Sequence, residues 1–241
     1  QKAMSYQRMG EQEARLVREV EELLARADAA DQRDDEKHGV GCAREDVPAE
    51  LQRREDRLAR IREAKAALEA EAAQARADEL RERADEQRAK AADESVDAAE
   101  RERATTRAAE SDKAVDALTG GDRPTSATPD GDGADLPSHR VPHNADGTPA
   151  PKAQRNFTDA DSRIMKKDGA FVQGFNAQTA VDAESQVIVG EAVTNQAPDC
   201  EHLPPMIDRV EANCGEKPAV VSADAGYFSR DNVAECERRG M

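Results

Sequence analysis

The chain has no tryptophan, two tyrosines and four phenylalanines, so aromatics make up 2% of its 241 residues. Aromatic side chains bury the most area per residue. With so few of them, and with 37% hydrophobic against 36% charged residues, one modest core is the most the chain can build. No apolar run approaches the ~18 residues of a membrane span, and nothing reads as a signal peptide. Cys42, Cys200, Cys214 and Cys236 are scattered without CxxC spacing, which suggests no disulfide framework and a reduced, cytoplasmic setting. Positive charge is short as well, with 35 Lys and Arg against 51 Asp and Glu and a formal net charge of −16. Gripping DNA over a whole surface requires clustered Lys and Arg, so any nucleic acid is held by local patches or by parts outside this chain. Gln1 is not an initiator, and Met241 closely follows a predicted helix. The expectation is a segment cut at both ends.

What is present begins as charged helix. Leu16, Val20, Leu23, Leu24 and Ala27 line one face of a first helix that ends in the polar stretch 31–41. Pro48 suits the first turn of a second. That helix carries Leu51, Leu58, Ile61, Leu68, Ala72 and Ala75 close to a heptad seam, with Arg, Glu and Asp on its other faces. The two are expected to pack as an antiparallel hairpin resembling a coiled coil. Beyond Ala75 the seam thins to alanines, and 77–118 reads as a solvated helical extension, frayed or paired with another copy. Residues 119–154 turn to Gly, Pro, Asp, Ser and Thr, a composition that cannot repay its ordering entropy by burial and reads as a disordered linker. The expected domains are therefore a helical part over 1–118, a linker over 119–155 and an α/β part over 156–241.

The α/β part is organised around Gly174–Tyr227. Phe175, Ala177, Thr179 and Val181 alternate on one side of a first strand. Val187, Val189, Glu191 and Val193 follow after a turn at Asp182–Ser185, predicting a hairpin. Leu203, Met206, Ile207 and Val210 have helical spacing within a helix over about 199–213, and Ala219–Ser222 reads as a short buried strand running into Asp224. An acidic residue where a buried strand leaves its sheet stands where open α/β sheets place their chemistry.

These residues carry a resemblance. NFTDADSRIMKKDG and FVQGFNAQTAVD within 156–182, VTNQAPDCEHLPPMIDRVE at 193–211 and above all SADAGYFSRDNVAECERRGM at 222–241 resemble the catalytic domain of bacterial insertion-sequence DDE transposases. KAMSYQRM at 2–9 and the helices after it resemble one branch of that family. The resemblance implies a partial RNase H-like domain, with a helical insertion between its first and second strands. It implies that Asp224 is the second of three metal-binding catalytic carboxylates. The first, in a DGTK-like motif upstream, and the third, a Glu on a later helix, are expected outside the chain. It further implies Mg²⁺, with Mn²⁺ as a substitute, and DNA as partner, both transposon ends and target. It also implies a homo-oligomer on DNA, association with the nucleoid when bound, and metal-dependent phosphodiester cleavage and strand transfer. A segment with one of three carboxylates is expected to be inactive alone.

Each candidate residue also has a plainer reading. Asp224 can serve as a helix cap, Gly226 as a sharp turn, and Tyr227 can pack on the sheet or touch DNA. Asp159 and Asp161 resemble a metal pair but fit a turn better, Asp182 fits turn chemistry, and Asp199 is most simply the N-cap of its helix. Cys200 with His202, and His38 with Cys42, each offer two metal ligands without a second pair at zinc-site spacing. Two other classes remain open: a helical interaction protein with a small α/β docking domain, and an unrelated Asp-dependent hydrolase.

Overall fold

The computed structural model describes residues 3–38, 49–120, 136–167 and 169–241. The chain forms two compact units, Gln1–Asp122 with Val141–Thr158, and Arg123–Arg140 with Asp159–Met241.

The first unit runs β1 (Ala3–Ser5), α1 (Tyr6–His38), α2 (Ala49–Ala92), α3 (Ala98–Thr119) and β2 (Gln154–Asn156). All six seam residues of α2, from Leu51 to Ala75, are buried, as their spacing predicts. Leu58, Ile61, Leu68 and Ala72 share one core with Met9 and Leu16 of α1. Cross-links between the helices descend in register as α1 advances, which makes the pair antiparallel. The Tyr6 hydroxyl donates to Glu69 at 2.6 Å, Glu13 receives Arg62 at 2.9 Å and Lys65 at 3.1 Å, and Glu19 receives Arg54 at 2.9 Å. Exposed pairs of this kind add little stability; the apolar seam holds the helices, and the pairs set their register. The face predicted for α1 is only partly right, because Leu16 is buried and Leu24 is exposed. His38 and Cys42 as a ligand pair, and Pro48 in the first turn of the second helix, lie outside the described residues or side chains.

The expected solvated extension is a second antiparallel hairpin. Ala104, Ala108, Ser111 and Val115 form a buried stripe on α3, and Ala77 and Leu80 of α2 cluster with Val115. Small side chains let two helices approach closely, so a face too poor in apolar volume to be read as a core still buries itself. Asp97 starts α3 by accepting from the Ala99 amide at 3.2 Å. Arg88 and Asp112 bridge the pair at 2.6 Å.

Residues 141–153, read from composition as linker, belong to this unit. Val141 and Ala153 are buried in its core, and between them Asn144 and Thr148 close a tight turn. Two apolar anchors suffice to order a stretch whose other residues favour turns. Strand β2 then pairs antiparallel with β1, Ala3 opposite Asn156.

The second unit holds two hairpins and two helices: β3 (Arg163–Lys167) with β4 (Ala170–Gly174), β5 (Asn176–Val181) with β6 (Ile188–Thr194), then α4 (Leu203–Cys214) and α5 (Arg230–Arg239). The β5–β6 hairpin and its Asp182–Ser185 turn are where the sequence predicts them. The covered side differs. Asn176, Gln178 and Ala180 of β5, with Gly190, Ala192 and Thr194 of β6, are buried or half-buried, whereas Phe175, Val181, Ile188 and Val193 are exposed. The cause is α4. A Cβ on Gly190 would meet Val210 Cγ2 at 3.4 Å and Met206 Cε at 3.6 Å, so the helix seats on the side with small residues. Segment 136–140 is tied to the end of β6, His139 donating its amide to Asn195 Oδ1 at 2.8 Å.

The third strand predicted at Ala219–Ser222 does not form. Residues 217–224 belong to no strand, and Val220 is 84% exposed. An extended apolar run becomes a strand only when another strand offers its backbone groups, and among the described residues none lies beside this one.

Candidate functional site

Asp224 ends this extended stretch and opens a short 3-10 turn, Ala225–Tyr227. Its carboxylate is exposed and folds forward, Oδ1 accepting from the Gly226 amide at 2.7 Å. Asp199 opens another 3-10 turn, Asp199–Glu201, ahead of α4. It was expected to cap the helix; instead its side chain turns to β5. Asp199 Oδ1 accepts from Asn176 Nδ2 at 2.7 Å and from Gln178 Nε2 at 3.0 Å. Pro198 and His202 occupy the cap positions, neither with a side-chain cap bond. Two neutral amide donors on a strand outcompete the local cap because they are already ordered by the hairpin.

The two aspartates meet at Gly226. A Cβ there would sit 2.9 Å from Asp224 Oδ1 and 3.0 Å from Asp199 Oδ2. The glycine's backbone does not adopt positive φ, so it is required for space rather than for a sharp turn. No Lys or Arg pairs with either carboxylate among the described residues. Tyr227 closes the arrangement: its hydroxyl donates to Gln178 Oε1. Burial first, then the Asp199 and Asp224 charges, push that hydroxyl above its ordinary value. From α5, Asn232 Nδ2 donates to the carbonyls of Cys200 and Tyr227, both at 2.6 Å, holding the two turns together.

The other candidates fall outside this arrangement. Asp159 Oδ1 accepts from the amides of Asp161 and Ser162, both at 3.3 Å, and Asp161 contributes its carbonyl to Asn195, so the turn reading holds for both. Asp182 accepts from Ser185 Oγ at 2.6 Å and from its amide at 2.7 Å. Those bonds, the hydroxyl's first, hold its carboxyl below the usual range. Asp146, which sequence reasoning passed over, is likewise spent on its own turn through Thr148 Oγ1 at 2.7 Å. His202 is fully buried, with no hydrogen-bond partner on either ring nitrogen. No three His, Cys, Asp or Glu side chains gather as a metal site among the described residues, so Cys200 and His202 gain no further ligands. Asn176, Gln178 and Asn232 were missed. Polar residues at i and i+2 on a predicted strand were the signal, since a period of two puts both on one face.

The stretch that holds this arrangement is similar to known proteins. Residues 137–241 match the family model described as Transposase DDE domain. Over that stretch the chain resembles a transposase DDE domain. The chain is also similar to a protein described as "Transposase for insertion sequence element IS1106" from Neisseria meningitidis serogroup B, with 34% identity over 74 residues, covering 31% of this chain and 24% of that protein. The matched stretch thus spans about a quarter of the relative's length. No solved structure matches at a significant level. DDE domains generally use divalent metal ions, and exposed or half-exposed carboxylate oxygens such as those of Asp224 and Asp199 are the hard ligands that such cations take. No helix in the described residues is long and apolar enough to cross a membrane.

Proposed function

We propose that the chain is a segment of an insertion-sequence transposase and that Asp224 is one of the carboxylates that hold its divalent metal. In this reading residues 156–241 are part of an RNase H-like catalytic domain. Residues 1–118 and the connection over 119–155 are an insertion, and the complete protein acts as a homo-oligomer on transposon ends and target DNA, associated with the nucleoid when bound. The observation that carries the reading is the Asp224 carboxylate, exposed at the end of an apolar stretch and oriented by the Gly226 amide at 2.7 Å, within a matched transposase domain.

The bound ions supply the charge that activates a water or a DNA 3′-hydroxyl and stabilises the leaving oxygen of the phosphodiester. The protein's own share is orientation. The Gly226 amide fixes one Asp224 oxygen and leaves the carboxylate facing solvent, where phosphate oxygens can approach. A single such acid cannot hold two ions, so the 241-residue chain by itself neither cleaves nor joins DNA.

The test is Asp224→Asn in a full-length relative containing this segment. The amide keeps size and the capping bond, since Asn caps about as well as Asp, but loses the charge that balances the metal. Excision of a donor element in cells should disappear while the melting temperature of the purified protein stays unchanged. Full excision by the Asn variant would reduce Asp224 to a turn residue.

A further inference from the structure

We infer that Asp199 is a positioning residue for Asp224, acting through a hydrogen-bonded brace of Asn176, Gln178 and Tyr227 that fastens the Asp224–Tyr227 turn to strand β5. The functional meaning of the brace rests on the proposed role of Asp224.

Gln178 is the centre of it. Its side chain is 2% exposed, and a buried amide left without partners is costly. Nε2 donates to Asp199 Oδ1 and to Asn176 Oδ1, both at 3.0 Å, and Oε1 accepts from the Tyr227 hydroxyl. Asn176, two residues earlier on the same strand face, donates to the same Asp199 oxygen at 2.7 Å and to the carbonyls of Gln196 and Ala197, both at 3.3 Å. The Asp199 carboxylate is therefore the acceptor that orients both amides. The amide of Tyr227 in turn reaches the Asp224 carbonyl at 3.2 Å, so whatever fixes Tyr227 fixes the turn that carries Asp224. The path runs from Asp199 through Gln178 and Tyr227 to Asp224, and each link accepts or donates without needing the Asp199 charge.

Removing the acceptor leaves one hydrogen of the buried Gln178 amide unmet, while Asn176 falls back on the Gln196 and Ala197 carbonyls. Gln178 then rotates to find another acceptor, the Tyr227 hydroxyl loses its partner, and the Asp224 turn is released from β5. An Asn at 199 behaves differently, since its oxygen still accepts from Asn176 and Gln178. This separates a brace from a ligand: a ligand needs the charge, and a brace needs only the oxygen.

The experiment uses the isotope-labelled 241-residue chain, with Mn²⁺ as the probe and the Gly226 amide resonance as the reporter. In the parent chain Mn²⁺ broadens that resonance, and Asp224→Asn abolishes the effect. Asp199→Ala should shift the Gly226 resonance before any metal is added and raise the Mn²⁺ needed for half-broadening by about 10-fold, the usual cost of losing a partner that orients a metal ligand. Asp199→Asn should stay within about two-fold of the parent. Tyr227→Phe, which breaks the brace at its other end, should move both readouts in the direction of Asp199→Ala and stands in for it if that variant does not fold. A loss in Asp199→Asn as large as in Asp199→Ala would make Asp199 a ligand and overturn the brace. So would an unshifted Gly226 resonance in Asp199→Ala or, where that variant does not fold, in Tyr227→Phe. If Asp224→Asn leaves the broadening untouched, the metal reading of Asp224 fails, while the metal-free shift still decides the brace.

Discussion

Replacing Gly226 by alanine sets two carboxylates against one methyl group, and the structure decides which gives way. The new carbon would lie 2.9 Å from Asp224 Oδ1, closer than real contacts come, and 3.0 Å from Asp199 Oδ2, at their tight edge. If Asp199 retreats, it abandons two amide donors at 2.7 and 3.0 Å, one of them on the buried Gln178. Unmet buried donors cost about 1–3 kcal/mol each. If Asp224 retreats, it gives up one bond to a backbone amide at the surface, which water replaces. The second route is cheaper, so Asp224 swings outward and Asp199 stays. The expected stability loss is about 1 kcal/mol, at the low end of overpacking costs, or roughly 4–8 °C in melting temperature for a unit of about 100 residues. Function should respond far more strongly, because a carboxylate displaced by about 1 Å costs a reaction roughly 100-fold. Calorimetry on the purified chain and excision by a full-length relative with the same substitution give the two numbers. A loss near 3 kcal/mol with excision intact would mean that Asp199 had yielded, and the ranking of the two routes would be wrong.

Leu68→Ala removes a fully buried side chain from the α1–α2 core and should cost about 3–4 kcal/mol, read by urea denaturation followed through helical circular dichroism; a loss below about 1 kcal/mol would show that the core collapses around the gap. The Tyr6 hydroxyl, pushed up to about 12 mainly by its bond to Glu69, ties the start of α1 to α2. Its folded value lies above the ordinary 10.0, so this stabilisation is complete below that pH and is lost as pH rises through about 12. Melting curves across that window should show the loss in the parent and not in Tyr6→Phe, which starts about 1 kcal/mol lower. The purified 241-residue chain should show no strand transfer in Mg²⁺ or Mn²⁺ and only weak, salt-sensitive DNA binding; metal-dependent strand transfer abolished by Asp224→Ala would mean that the remaining carboxylates lie within it.

Spacing made much of this architecture legible. The Leu51-to-Ala75 seam carries its period on large side chains, and the β5–β6 hairpin is bounded by a turn whose Asp182 and Ser185 close it locally. Alternation told the two sides of β5 apart but not which one is covered. That depends on α4, whose approach favours Gly190 and Ala180 over Val181 and Val193, so hydrophobicity pointed to the wrong side. The same inversion hid part of the site, because Asn176 and Gln178 read as the wet face of a strand. The α3 stripe of Ala104, Ala108 and Ser111 carried too little apolar volume to signal burial, and the Ala219–Ser222 run lacked the neighbour that a strand requires. Asp224 stood out as a candidate because its neighbours Ala225, Gly226 and Tyr227 form a recognisable motif. Asp199 was not, since a strand 20 residues earlier sets its role.

Strand β1 enters the helical unit beside the point where β2 leaves it, Ala3 opposite Asn156, and the Tyr6 amide reaches the Ala153 carbonyl at 2.8 Å just inside. A long excursion of chain thus starts and finishes at a single doorway only a strand's width across. A change of length in α1, α2 or α3 that keeps their pairing leaves both ends of the excursion at this doorway.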